Sequence, residues 1–403
     1  MTDRPYQVRR VRAVSSSAGR GRRRGIAVAA VMAAALAVVG TLPASAAPQG
    51  RGPGGVVQRG LDRLVHDDRY PAALAATVGR DGRTRHYTSG VADLRTGAKV
   101  PVDGQVRAGS NTKTFVATVV LQLVGEGKVA LDDPVEDYLP NLVRGENIDG
   151  NHITVRQLLQ HTSGLPNYTD HMSDEDLAGE GRHTYVQPRA LLDQAFAHKA
   201  DFAPGTSWKY SNTNYILAGL IIEKVTRRPL AEQITHRVID RIGLRHTYFP
   251  GVGEERIRKA HPKGYFAAKP GAPLKDVTEL DPSWGWAAGQ LVSTPGDLNR
   301  FLTALLGGRL LAPAQLAQMR TTVEIGDSDF DDSGVRFGLG LTSTPLSCGG
   351  LMWGHGGDIP GYATRPAATD DGRAAAIAVT ANRAPTEQGP GRVDALLDTA
   401  LCT

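Results

Sequence analysis

Behind Lys113 the chain is apolar on nearly every helical face: Phe115, Val116, Ala117, Val119, Val120, Leu121, Leu123 and Val124. A helix that is hydrophobic all round is buried, so this stretch predicts a central core helix. A second strongly apolar helix is predicted over Asn214 to Val225, and further helices over Val56 to Val65, Ile153 to Leu159 and Pro229 to Ile239. Pro295 to Leu306, Pro313 to Met319 and Val393 to Leu401 add three more. Runs rich in β-formers predict strands over Ala72 to Val78 and Thr84 to Val91, with Asp81-Gly82 turning between them. Four more strands are expected over Phe337 to Thr342, Leu351 to His355, Tyr362 to Ala368 and Ala374 to Thr380. Strands therefore lie at both ends of the chain, with a helical stretch of roughly 130–320 between them. This order predicts an α/β (α+β) fold: an antiparallel sheet built from both chain ends, flanked by helices, with an all-helical lobe beside it. The crevice between sheet and lobe is where a site is expected.

The first residues read differently. Eight arginines against Asp3 give residues 1–25 a net charge of +7, which leaves about −2 of the total +5 for the rest. The high pI thus belongs to the leader, and the remainder has no global reason to seek nucleic acid. Ile26 to Leu42 is apolar and uncharged, and Ala44-Ser45-Ala46 supplies small residues for cleavage. Residues 1–46 are expected to be a secretory signal, whether by the general or the twin-arginine route, and the mature protein to be extracellular. The apolar run is short and built of small side chains, which favours cleavage over a membrane anchor. A flexible linker is expected over 47–55 and one folded domain over 56–403. The linker spells G-x-G-x-x-G, but no strand precedes it and Pro53 interrupts it, so it predicts no nucleotide loop. Cys348 and Cys402 are the two cysteines, an even count that permits a disulfide in an exported protein. No cofactor or metal is expected, and the protein is expected to be a monomer.

The candidate chemistry lies at the start of the core helix. Ser110 and Lys113 stand one turn apart, and i,i+3 neighbours share a helix face. A helix start also offers unpaired N–H groups. The plainer reading of Ser110 is an N-cap. Two further motifs weigh against it: Tyr210-Ser211-Asn212 at the entry to the second apolar helix, and His355-Gly356-Gly357 at a strand end. Ser-x-x-Lys, Tyr-x-Asn and His-x-Gly in that order match the pattern of the serine penicillin-recognising enzymes.

On these residues the chain resembles the soluble extracellular D-alanyl-D-alanine carboxypeptidases and, more distantly, the class C β-lactamases. The blocks Leu121 to Lys128, Ile153 to Gln157, His161 to Leu165, Tyr210 to Asn214, Leu316 to Met319, Phe337 to Leu341 and Ser347-Cys348-Gly349 carry the similarity. The resemblance implies an acyl-enzyme on Ser110, with Lys113 or Tyr210 as base. It implies Asn212 holding the substrate amide and His355 supporting the proton network. An oxyanion hole of the Ser110 and Asp358 backbone N–H groups, in the Gly356-Gly357-Asp358 segment, follows from it too. The resemblance also places Trp284 beside the site and pairs Cys348 with Cys402.

The third motif departs from the family. Where the carboxypeptidases grip a substrate carboxylate with two threonines and an arginine, this chain has Gly356, Asp358 and Thr342. Asp358 is expected to repel a carboxylate. Arg365 and Lys263 are the candidates to replace the lost grip. The expected substrate is a small peptide, amide or ester: a peptidoglycan stem peptide or a β-lactam by resemblance. The alternative is an ester, or an amide whose free amine Asp358 holds. A non-catalytic binding protein on the same fold is a third possibility. No G-x-S-x-G, H-E-x-x-H or G-x-x-x-x-G-K-[ST] motif supports another enzyme class.

Overall fold

The computed structural model describes residues 53–325, 334–382 and 385–403. The expected signal, and the linker up to residue 52, lie outside the described residues. From the N-terminal side come β1 (Ala72–Val78), β2 (Thr84–Asp93) and β3 (Ala98–Lys99). The C-terminal side gives β4 (Val323–Glu324), β5 (Arg336–Phe337), β6 (Thr342–Pro345), β7 (Leu351–Gly354), β8 (Gly357–Ile359), β9 (Tyr362–Thr369) and β10 (Ala374–Val379). They form one sheet in the order β4-β5-β6-β7-β9-β10-β1-β2-β3, with β8 paired to the start of β9. Neighbours are antiparallel throughout. The two chain ends meet at the centre, where Ala73 lies opposite Val379 and Val78 opposite Ala374.

The helices that position the site are α1 (Pro53–His66), α2 (Thr112–Gly125), α3 (Val155–Gln160), α4 (Thr213–Thr226), α5 (Pro295–Leu306) and α6 (Gly389–Cys402). Strand alternation sends β1 and β10 side chains to opposite layers. Ala73, Ala75, Ala375, Ile377 and Val379 pack with Val57, Leu61 and Leu64 of α1 and Val393, Leu396 and Leu397 of α6. Ala374 and Ala376 face the other way, into the large core of the helical lobe. The small alanines let α5 lie close on that face of the sheet. Phe301 of α5 stacks on Phe115 of α2, with ring centroids 3.7 Å apart, and joins sheet layer to lobe. α2 is buried from Thr112 to Leu121, as its all-round apolar pattern requires. Disulfide Cys348–Cys402 ties the β6–β7 connection to the end of α6.

Several boundaries differ from expectation. Phe337 to Thr342 is not one strand: β5 stops at Phe337 and β6 starts at Thr342. Between them the Gly338 N–H bonds to the Leu341 carbonyl at 2.7 Å. Gly340 has φ +69°, and a Cβ there would lie 2.6 Å from the Ala117 Cβ of α2, so this bend presses into the core helix as a side chain could not. The helix expected over Pro229 to Ile239 contains a wider π turn over Thr235–Ile239. α1 begins at Pro53, inside the expected linker, and α6 begins at Gly389 rather than Val393. α3 starts at Val155, where Thr154 and Gln157 form a reciprocal capping box.

Candidate active site

Ser110 is not the N-cap of α2. It sits in a 3₁₀ turn, Gly109–Asn111, that runs directly into the helix, and Asn111 in helical conformation precedes α2. The turn is pinned by its own side chains. Asn111 Nδ2 donates to the Ala108 carbonyl at 2.8 Å and to Thr364 Oγ1 of β9 at 2.7 Å. Thr112 Oγ1 donates to the Gly109 carbonyl at 2.7 Å.

Lys113 is fully buried. Its Nζ lies 3.0 Å from Ser110 Oγ, 2.7 Å from Asn212 Oδ1 and 2.8 Å from the Ala288 carbonyl. Burial lowers its pKa well below the ordinary lysine value. Two of its three neighbours, the Asn212 oxygen and the Ala288 carbonyl, can only accept. A neutral amine has two N–H groups for them and one lone pair, which then faces the Ser110 hydroxyl. Asn212 is held in that orientation from behind. Its Nδ2 donates to Thr169 Oγ1 at 3.0 Å and to Asn167 Oδ1 at 3.2 Å, and its backbone N–H donates to the same Asn167 oxygen at 2.9 Å. Both ends of the Asn212 side chain thus have protein partners, and Asn212 also lines the cavity that opens on Ser110, where a substrate amide is expected.

Tyr210 is buried too, and its hydroxyl hydrogen-bonds to Ser110, while its ring centroid lies 4.8 Å from Lys113 Nζ. Burial raises its pKa above the usual phenol value, which disfavours the phenolate. One face of the ring is covered by His161, stacked at 4.4 Å. His161 Nδ1 accepts from the Ser211 N–H at 3.1 Å and meets Asn214 Nδ2 at 3.1 Å, which orients the Tyr210-Ser211-Asn212 segment. Burial pushes the His161 pKa well down, so the imidazole is neutral.

His355 does not join this hydrogen-bond network. Its Nδ1 donates to the Gly356 carbonyl at 2.5 Å, its buried Nε2 has no hydrogen-bond partner among the described residues, and its ring lies 6.1 Å from that of Tyr210. Burial, the largest cause, lowers its pKa to about 3.

β8 closes the site opposite the 3₁₀ turn. Gly357 has no room for a side chain: a Cβ there would lie 2.0 Å from the Ala108 carbonyl oxygen. Gly109 has φ +52°, and a Cβ there would lie 2.9 Å from the Asp358 backbone nitrogen. The Asp358 peptide therefore lies against the backbone that carries Ser110. Thr342, by contrast, bonds back to the Gly354 carbonyl at 2.8 Å. Lys263 is held by Asp276 at 2.8 Å and Asp93 at 3.6 Å. Neither lines the cavity described next.

A cavity of about 250 Å³ opens on Ser110. Asn212 and Thr169 line one side, and Gly285, Ala288 and Gly289 the floor behind Lys113. Tyr168, Leu177, Phe266, Trp284, Ile359 and Pro360 supply its apolar wall. Tyr168 fixes Trp284 through a 2.6 Å hydrogen bond to its carbonyl. Asp358 is the one charged side chain among the described residues of the lining. The like-charge repulsion expected of it is partly answered by Arg365, whose Nη1 lies 3.1 Å from Asp358 Oδ2.

Sequence reasoning missed Asn167, Thr169 and the Ala288 carbonyl. His161 carries no sequence signal beyond its place in the block His161 to Leu165.

The chain is similar to known proteins along most of its length. A D-stereospecific amidohydrolase from Streptomyces sp. is 40% identical, with a TM-score of 0.76 over 85% of this chain and 97% of that one. The D-amino acid amidase of Ochrobactrum anthropi SV3, complexed with L-phenylalanine amide, is 28% identical, with a TM-score of 0.76 over 87% and 97%. Penicillin-binding protein 4 of Amycolatopsis lactamdurans is 30% identical over 276 residues, 66% of this chain and 69% of that protein. The chain spans about half the length of other curated relatives that it matches. The family model described as Beta-lactamase matches residues 58–401, from α1 to the end of α6, and the chain belongs to this family of serine hydrolases.

Proposed function

We propose that the protein hydrolyses amides or esters of D-amino acids through an acyl-enzyme on Ser110, in preference to peptides that end in a free carboxylate. One observation carries the preference: the cavity wall offers an anionic side chain, Asp358, and no cation among its described residues. The D configuration is supported by the two solved structures named above, an amidohydrolase and an amidase for D-substrates.

The steps follow from the geometry. A serine hydroxyl attacks a carbonyl only when a base takes its proton. The Lys113 lone pair faces Ser110 Oγ at 3.0 Å and is the base. Tyr210, with its pKa raised, stays a phenol. Bonded to the same oxygen, it passes a proton to the leaving amine or alcohol. The carbonyl oxygen, turned into an oxyanion, is held by the Ser110 and Asp358 backbone N–H groups. Water then attacks the ester and the same groups run in reverse. A free amine on the substrate meets Asp358, and a hydrophobic side chain meets Phe266, Leu177 and Trp284. Export of the protein belongs to the same proposal; the Cys348–Cys402 disulfide suits an oxidising compartment.

The test is ammonia release from D-phenylalanine amide, with L-phenylalanine amide and an acyl-D-alanyl-D-alanine peptide run in parallel and Ser110→Ala as control. The proposal expects the D-amide to have the highest kcat/KM and Ser110→Ala to be inactive. A higher kcat/KM for the carboxylate-ended peptide overturns the substrate preference. Full activity in Ser110→Ala overturns the nucleophile.

A further inference from the structure

Behind the cavity wall one cation is shared by two carboxylates. Arg365 of β9 meets Asp358 with both terminal nitrogens, Nη1 at 3.1 Å and Nη2 at 3.3 Å. Its Nε donates to Asp394 of α6 at 3.1 Å. Its Nη1 also donates to the Thr364 carbonyl at 3.1 Å. The arginine side chain runs against Gly356, where a Cβ would lie 3.4–3.5 Å from its Cδ, Nε and Cζ.

Two consequences follow from the chemistry of a guanidinium. Its paired N–H edge fits a carboxylate bidentately, and here that edge is already filled by a carboxylate of the chain itself. Asp358 is tethered, so a substrate carboxylate must displace a partner that is always present. The second consequence concerns charge. One guanidinium against two carboxylates leaves a net of −1 at the cavity rim, and Asp358, half exposed, is the member that lines the cavity. Asp394 at Nε and the Thr364 carbonyl at Nη1 hold the guanidinium independently of Asp358, so it stays put if Asp358 is truncated.

We propose that the Asp358–Arg365 pair sets the sign of charge that the site accepts. Asp358 is the receptor for a substrate ammonium, and it is also the plug that denies Arg365 to a substrate carboxylate. This rests on the reading that Ser110 is acylated in this cavity. The departure at the third motif is then a specificity device: a carboxylate-binding arginine is present, but capped.

The test has two arms. In the first, kcat/KM for D-phenylalanine amide is divided by that for N-acetyl-D-phenylalanine amide, a ratio insensitive to general loss of activity. Asp358→Ala is expected to lower it at least tenfold; an unchanged ratio overturns the receptor role. In the second arm, the rate constant for acylation of Ser110 by benzylpenicillin is followed by intact-protein mass. Asp358→Ala is expected to raise it at least tenfold, and Asp358→Ala/Arg365→Gln to lose most of that gain. No gain in the single variant, or a gain retained in the double, overturns the plug. If the wild type cleaves neither amide, the proposed substrate falls. The penicillin arm still decides whether Asp358 caps Arg365.

Discussion

Lys113 Nζ stands 2.7 Å from Asn212 Oδ1 and 3.0 Å from Ser110 Oγ, so one buried amine is fixed by an amide oxygen and aimed at a hydroxyl. Burial alone lowers its pKa, with no neighbouring charge needed. Replacing it tests two things at once. Lys113→Met should reduce kcat/KM by about 10²–10⁴-fold, the usual contribution of a general base.

The same variant reports the state of the lysine through stability. The folded pKa lies below the ordinary 10.5. Between the lowered value and 10.5 the unfolded chain binds a proton that the folded chain lacks, so wild-type stability falls as pH falls through that window. Methionine has no such slope. The Tm of Lys113→Met minus that of the wild type should therefore grow as the pH is lowered from about 10.5 towards neutrality. A difference that stays flat with pH would mean that the lysine is charged in the folded protein.

Asn212→Asp should move the acid limb of the pH–kcat/KM profile upwards. A carboxylate within hydrogen-bond reach favours the ammonium form and typically shifts a pKa by about 1–3 units. The base is then protonated at pH values where the wild type works. His355 adds no limb of its own near neutrality, because its pKa is about 3. His355→Gln should leave the position of the limb unchanged while Asn212→Asp moves it. Profiles of the three proteins on one ester substrate decide the matter.

How much of this was legible beforehand follows from what each part is made of. Ser110, Lys113, Tyr210 and Asn212 are readable because each sits at a helix entry, where a local motif and an apolar run mark the place. Asn167 and Thr169 are not, because they come from a loop whose approach to Asn212 is set by the folded lobe. The Ala288 carbonyl is a backbone group and has no residue signature. Gly356 and Gly357 read as the end of a strand, yet Gly357 lets a further strand, β8, pass the Ala108 carbonyl. The apolar alternation running on through Gly338 and Gly340 concealed the bend between β5 and β6. The Arg365–Asp358 pair joins adjacent strands: the register puts Asp358 opposite Ala363, which leaves Arg365 two residues along on the same face, a diagonal neighbour within reach of a long side chain.

Loss of the disulfide should cost stability and spare catalysis. Cys348 and Cys402 are 54 residues apart, and cross-linking a loop of that size constrains the unfolded chain by about 4 kcal/mol in the chain-entropy account. Neither cysteine lines the cavity at Ser110. Cys348→Ser/Cys402→Ser should lower the denaturation midpoint in urea while kcat and KM at low temperature stay within about twofold of the wild type. A large fall in kcat in the folded variant would show that α6 holds the site more directly than its packing suggests.

Gly357→Ala is the sharpest probe of β8. The added methyl would sit 2.0 Å from the Ala108 carbonyl, 2.4 Å from Asn111 Nδ2 and 2.8 Å from Thr364 Oγ1. All three are held by the hydrogen bonds that pin the Ser110 turn, so β8 must lift away instead. Lifting β8 carries the Asp358 N–H away from the developing oxyanion. Losing one such donor typically costs about 10²–10³-fold in kcat. The effect should fall on kcat more than KM, since the oxyanion exists only after attack. Gly391→Ala in α6 is the control: its Cβ meets nothing within 4 Å, and alanine favours a helix by up to about 1 kcal/mol. It should leave kcat unchanged and raise Tm slightly. If Gly357→Ala kept full kcat, the oxyanion would have to be held by groups other than the Asp358 peptide.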